Sequence, residues 1–179
     1  MMKRALLIID MSNDFVHDQG GLSAKEPAQQ IVPFIVNKAN EYRANGDLVV
    51  ICMDAHQPND PHFHRWPVHN VVGTWGQELY GELQNWFESH KEDPFVHYVG
   101  KSNYNAFHET NLHQILREAG VQEVAATGVC TDICDFLTLA GADAYGFDTA
   151  VYLEGVATFT SNQEESLQHM TLCFHTKIL

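Results

Sequence analysis

VQEVAATGVCTDICDF, residues 121–136, is where the reading of this chain begins. VQEVAAT (121–127) is an apolar run of strand length, and residues 132–145 are patterned as a helix. A buried strand that turns directly into a helix is half of a parallel β–α–β unit. The join leaves two of the chain's four cysteines in or just beyond the turn, four residues apart.

The same alternation recurs on both sides. ALLII (5–9) reads as a first strand. Ile31, Ile35, Ala39 and Tyr42 follow at helical spacing, with Pro33 in the first turn and Gly46 as the stop. LVVICM (48–53) is a second strand and FVHYV (95–99) a third, with a helix from Gln77 to Ser89 between them. Thr110 is placed to cap a helix carrying Leu112, Ile115, Leu116 and Ala119. After residues 132–145 come a strand at TAVYL (149–153), a helix from a Ser161/Glu164 capping box to about Met170, and a last strand in CFHTKIL. This pattern predicts an α/β fold: a three-layer, doubly wound sheet, mostly parallel, of about six strands with helices on both faces. No linker or repeat interrupts it, so residues 1–179 read as one domain.

Composition narrows the function. Asp and Glu outnumber Lys and Arg by 23 to 10, a formal charge of −13. That lacks the basic footprint needed for nucleic acid or an anionic membrane surface. No apolar run approaches the roughly 20 residues of a membrane span. MMKRALLIID has a basic pair before an apolar run, but Asp10 ends the run early and no small-residue cleavage site follows. It reads as the first strand of a cytoplasmic protein, in which Cys52, Cys130, Cys134 and Cys173 form no disulfide framework.

In doubly wound sheets the site lies beyond the carboxyl ends of the strands. Asp10 follows the first strand, Asp54 and His56 the second, Lys101 the third, and Cys130 and Cys134 the fourth. Four strand ends therefore bring an acid, a metal-ligating pair, a base and thiols to one place. Cys134 falls in the first turn of a helix, where backbone N–H groups favour a thiolate and can hold an oxyanion. It is the expected nucleophile, and Cys130, in the turn itself, the expected backbone donor. Asp10 can take the thiol proton, and Lys101 can balance the charges.

The segment DAHQPNDPHFHRWPVH (54–69) is dense in ligands. Asp54 and His56 are two apart and share a side in extended chain. With His69 they suit a divalent transition metal such as zinc, iron or manganese, and His62 and His64 compete for a further place. Phe15, Trp66, Tyr104 and Phe107 each lie within a few residues of these groups, an arrangement that could stack a flat aromatic ligand.

With these residues in place, the sequence resembles the isochorismatase-like cysteine hydrolases, and within them the nicotinamidases, over nearly its whole length. LLIIDMSNDF is similar to the family's opening strand and catalytic aspartate, DAH…WPVHNVVGTWGQEL to the nicotinamidase metal loop, KSNYNAF to the catalytic-lysine segment and GVCTDIC to the nucleophile turn. The resemblance implies hydrolysis of nicotinamide to nicotinate and ammonia, a step of NAD salvage, through a thioester on Cys134. It also implies a bound metal, a cis peptide before Cys130 and a homo-oligomer. His62 matches one family spacing for the third ligand; His64 sits nearer a glutamate position used by other members. Asp135 stands where the family places a small apolar residue. A charge there would hinder the thiol, whereas a carboxyl pointing away would not. Two other readings keep the same fold: hydrolysis of another small amide or ureido compound, and a non-catalytic ligand-binding relative.

Overall fold

The computed structural model describes residues 2–179. Its strands are β1 (Lys3–Ile9), β2 (Leu48–Asp54), β3 (Val96–Lys101), β4 (Val121–Val129), β5 (Asp148–Ala157) and β6 (Lys177–Ile178). They form one sheet in the order β3-β2-β1-β4-β5-β6, with every neighbouring pair parallel. The helices are α1 (Asn13–Val16), α2 (Glu26–Gln30), α3 (Val32–Ala44), α4 (Glu82–His90), α5 (Leu112–Glu118), α6 (Phe136–Ala144) and α7 (Gln163–Phe174).

Both faces of the sheet are covered, which is why its strands read as unbroken apolar runs. All seven residues of β2 are buried. Alternate side chains serve opposite cores. Leu6, Ile8, Val49, Ile51 and Met53 pack with Val16, Ile35, Tyr42 and Leu83 from α1, α3 and α4. Ala5, Leu7, Ile9, Val50 and Cys52 pack with Leu112, Leu116, Leu139 and Met170 from α5, α6 and α7.

Several boundaries move from the sequence expectation, each for a visible reason. The helix expected from Gln77 starts at Glu82. Before it, the chain lies extended against residues 11–13: Ser12 bridges Leu79, and Tyr80 N–H donates to the Met11 carbonyl at 2.9 Å. The Ser161/Glu164 box does not form. Asn162 is the N-cap, and its N–H donates to Thr160 Oγ1 at 3.0 Å. Helix α7 continues to Phe174, so the last strand shrinks to two residues. Pro33 lies in the first turn of α3, as its fixed φ requires.

One glycine is required by contact. Gly128 has φ +125°, and a Cβ there would lie 2.0 Å from the Ile9 carbonyl oxygen. The end of β4 thus passes close against β1 just before the turn that carries the cysteines.

Ile51 is fully buried in the middle of β2, whereas Leu172 on α7 is 73% exposed. Ile51→Ala should cost about 2–5 kcal/mol of unfolding free energy, and Leu172→Ala less than about 0.5 kcal/mol, in urea titrations followed by circular dichroism.

Candidate active site

The strand order reverses between β1 and β4, and the carboxyl ends of β1, β2, β3 and β4 supply the site there. Asp10 leaves β1 with φ 55°, a left-handed conformation that aspartate tolerates better than most residues. Its N–H donates to the Cys52 carbonyl at 2.9 Å. From the end of β2, Asp54 N–H donates to Asp10 Oδ1 at 2.8 Å. From the end of β3, Lys101 Nζ donates to Asp10 Oδ2 at 2.7 Å and also to Asp54 Oδ1. All three side chains are essentially sealed from solvent.

Their charges follow from that burial. Desolvation alone would strip the Lys101 proton, but Asp10 and Asp54 hold the ammonium charged, well above its usual range. Burial pushes the Asp10 carboxyl up to about 6, reinforced by Asp54 and opposed by Lys101. Burial also favours neutral Asp54, yet Lys101 and the nearby His56 and His69 rings keep it well below the usual carboxylate range. The site therefore contains one clamped ion pair, Lys101–Asp54, and one carboxyl, Asp10, poised near neutrality.

The cysteine turn completes this group. The Val129–Cys130 peptide is cis. Thr131–Asp135 then form a π-helical turn ahead of α6, rather than the regular first helical turn expected. The Cys130 carbonyl accepts from Ile133 N–H at 3.0 Å and Asp135 N–H at 3.2 Å. Asp132 accepts from the hydroxyl of Thr158 at 2.6 Å and from that of Thr160, tying the turn to the β5–α7 connection. Cys134 faces Asp10. Burial pushes its thiol well above the usual value; Lys101 opposes this and the two aspartates reinforce it. The resting group is thus a thiol with a proton acceptor beside it, not the standing thiolate that a helix terminus would favour.

Asp135 points inward. It is fully buried and neither carboxyl oxygen has a hydrogen-bond partner. Burial, reinforced by Asp10, raises it well above the usual carboxylate range, so it is a neutral acid that adds no charge beside the thiol.

The histidines arrive on a loop pinned at both ends. His56 N–H donates to the Asn70 carbonyl at 3.0 Å, and Val72 N–H to the His56 carbonyl at 3.0 Å. Asp14 Oδ2 accepts from Asn70 N–H at 2.7 Å, and Ser12 Oγ donates to Asn70 Oδ1 at 2.7 Å. These bonds bring His56 and His69 together across thirteen residues of sequence. One ring nitrogen from each of His56, His62 and His69 lies within 4.8 Å of the others. Asp54 Oδ2 is 3.5 Å from His56 Nε2 and 3.8 Å from His69 Nε2. The Nδ1 atoms are already engaged: His56 with Asp60 at 2.8 Å and His69 with the Pro67 carbonyl at 2.6 Å. His56 Nε2 is buried with no partner, as an unsatisfied ligand atom would be. Burial, helped by His56 and His69, lowers the His62 value and favours the neutral ligand form. One carboxylate and three imidazoles around one point fit a divalent transition metal. His64 is exposed and outside the cluster, because the 3₁₀ turn Pro61–His64 directs His62 inward instead.

A small cavity lies between the thiols and the histidines. Phe15, Trp66 and Tyr104 line it, and Trp66 Nε1 donates to the Tyr104 hydroxyl at 2.8 Å. Phe107 does not reach it: its ring is buried in the core, stacked 5.4 Å from Tyr145 and 6.0 Å from Phe147. Leu22, Ile133 and Phe159 also line the cavity. Sequence reading missed them because each sits on a turn or connection with no apolar periodicity of its own.

Comparison with known proteins agrees with this geometry. The isochorismatase domain model matches residues 4–178. An isochorismatase family protein of Bacillus subtilis (strain 168), PncA, is 42% identical over 166 residues, covering 91% of this chain and 90% of that protein. The crystal structure of a pyrazinamidase/nicotinamidase from Streptococcus mutans UA159 superposes with a TM-score of 0.96 at 35% identity, covering 99% of this chain and 100% of that one. The pyrazinamidase of Pyrococcus horikoshii in complex with zinc superposes with a TM-score of 0.88 at 26% identity, covering 99% and 98%.

The Asp135 carboxyl generates a sign-definite test. Unfolded, it ionises near 3.9; folded, it holds its proton to a higher pH. The native state thus loses stability relative to the unfolded chain as pH rises through that window. Asp135→Asn, which cannot ionise, should be more stable than wild type at pH 7. The advantage should shrink toward pH 4, as read by urea unfolding at each pH.

Proposed function

This chain belongs to the isochorismatase family, and on that premise we propose that it is a metal-dependent nicotinamidase, hydrolysing nicotinamide to nicotinate and ammonia. The observation that carries the reading is the single cavity with a thiol–carboxyl pair on one side and an Asp–His₃ cluster on the other. Its remaining walls are aromatic or aliphatic and carry no arginine. A neutral, planar aromatic amide suits such walls; a carboxylated substrate would find no free cation. The similar structures of a pyrazinamidase/nicotinamidase and of a pyrazinamidase support the same substrate class.

The chain's own residues carry the reaction as follows. Phe15, Trp66 and Tyr104 hold the pyridine ring and direct its carboxamide toward Cys134. Asp10 accepts the thiol proton as the sulfur attacks the carboxamide carbon. Backbone N–H groups of Cys130 and Cys134 hold the developing oxyanion. The C–N bond breaks as Asp10 returns the proton to the leaving nitrogen, giving ammonia and a thioester. Asp10 then deprotonates a water molecule that attacks the thioester, and the proton returns to the Cys134 sulfur as nicotinate leaves. Lys101 stays charged and keeps Asp10 in position throughout. Asp54, His56, His62 and His69 would hold the metal, which we take to be zinc, and this ion would supply a Lewis acid for the ring nitrogen or for water.

Nicotinate as product would put the enzyme in NAD salvage. Free thiols at Cys52, Cys130, Cys134 and Cys173 suit a cytoplasmic setting. No helix among the described residues is long and apolar enough to cross a membrane. Exposed Leu153, Leu172 and Leu179 near the β6 edge favour a homo-oligomer.

Purified protein should release ammonia from nicotinamide. Cys134→Ala should lower the turnover by about 10³-fold or more. Dialysis against a chelator should remove activity that zinc restores. Undiminished turnover by Cys134→Ala would overturn the nucleophile assignment, and release from other amides but not nicotinamide would overturn the substrate.

A further inference from the structure

We propose that Asp60 is a positioning residue for the metal centre, setting the tautomer of His56 and the placement of His62 with one carboxylate. The inference rests on the metal reading above and concerns a residue outside the ligand set.

Asp60 Oδ2 lies 2.8 Å from His56 Nδ1. A carboxylate can only accept, so Nδ1 carries the proton and Nε2 presents its lone pair. That Nε2 is the buried atom without a partner, and it faces the Asp54 carboxylate and the His69 ring. The other oxygen, Oδ1, accepts from His62 N–H at 2.8 Å and caps the 3₁₀ turn Pro61–His64. The turn holds the His62 ring stacked on His56, with centroids 4.7 Å apart and planes 20° apart.

Beyond its own backbone bonds, the turn is held by packing of Phe63 on His56 and His69 and of His62 on Tyr104. None of its residues is buried. His62 is the least buried member of the cluster. His69, by contrast, is oriented by a neutral backbone carbonyl close to it in sequence. A charged acceptor on a ligating imidazole raises its basicity as well as fixing its ring. Asp60 therefore couples a ligand from the end of β2 to one from the loop that follows, and does so from outside the ligand set.

Asp60→Asn separates this role from simple capping. Asparagine caps a turn as well as aspartate does. It has only one acceptor oxygen, so it cannot serve His62 N–H and His56 Nδ1–H together. Zinc stoichiometry and affinity would be measured on the full chain by competition with a chromophoric chelator, and the His56 tautomer by long-range ¹H–¹⁵N spectra of the metal-free protein. The expected results are one zinc per wild-type chain, binding about 10–100-fold weaker in Asp60→Asn, and loss of the single Nδ1–H tautomer at His56. Metal-free melting should be unchanged, and Asp60→Ser, which caps but cannot reach His56, should behave like Asp60→Asn. Equal zinc affinity and an unchanged tautomer in Asp60→Asn would overturn the proposal and leave Asp60 as a cap. Wild-type protein that binds no zinc would instead overturn the metal reading, and the Asp60 proposal with it.

Discussion

A buried ammonium group must be paired, and Lys101 is paired twice. Its Nζ sits between Asp10 and Asp54, with none of the three open to solvent. Removing one partner from such a group typically leaves an uncompensated charge worth about 3–5 kcal/mol. The three residues come from the ends of β1, β2 and β3, so their contact fixes the relative positions of those ends. It also links two kinds of chemistry. Asp10 faces the Cys134 thiol, and Asp54 faces His56 and His69. One cation thus joins a proton-transfer pair to a ligand cluster, and the arrangement of either half constrains the other.

The sheet makes that contact available. Parallel strands point their carboxyl ends the same way, and the reversal of order between β1 and β4 leaves space above their junction. Gly128 is required because β4 runs so close to Ile9 on its way to the cysteine turn. The packing tolerance that excludes a Cβ there is the same closeness that brings Cys134 over Asp10. The fold and the site share one steric constraint.

Sequence patterns carry what has a period or a fixed chain position. The apolar runs gave the five longer strands, and the rule for strand ends located Asp10, Asp54, Lys101 and the cysteines. Loop geometry has no such period. His62 and His64 are equivalent by spacing and part only when the 3₁₀ turn assigns them opposite directions. Phe107 lies three residues from Tyr104 and could not be told from a cavity residue by sequence; its ring is instead committed to the Tyr145 and Phe147 stack. Leu22, Ile133 and Phe159 converge from three separate connections, which no local pattern encodes. Residues 78–80 have helical apolar spacing, yet pairing with residues 11–13 outweighs it.

The sulfur and its neighbours show how environment overrides identity. A cysteine near a helix start is ordinarily read as a thiolate. Here burial and two nearby aspartates outweigh Lys101 and keep it protonated. The same burial keeps Asp135 neutral, so a residue that looks inhibitory by charge is electrically silent. Had Asp135 been ionised, a third carboxylate would compete for Lys101, which is already shared by Asp10 and Asp54. A neutral Asp135 leaves that partnership intact, and with it an acceptor for the thiol proton. The site can therefore hold four acidic groups in one buried region, because only as many ionise as its cation and ligand cluster can balance.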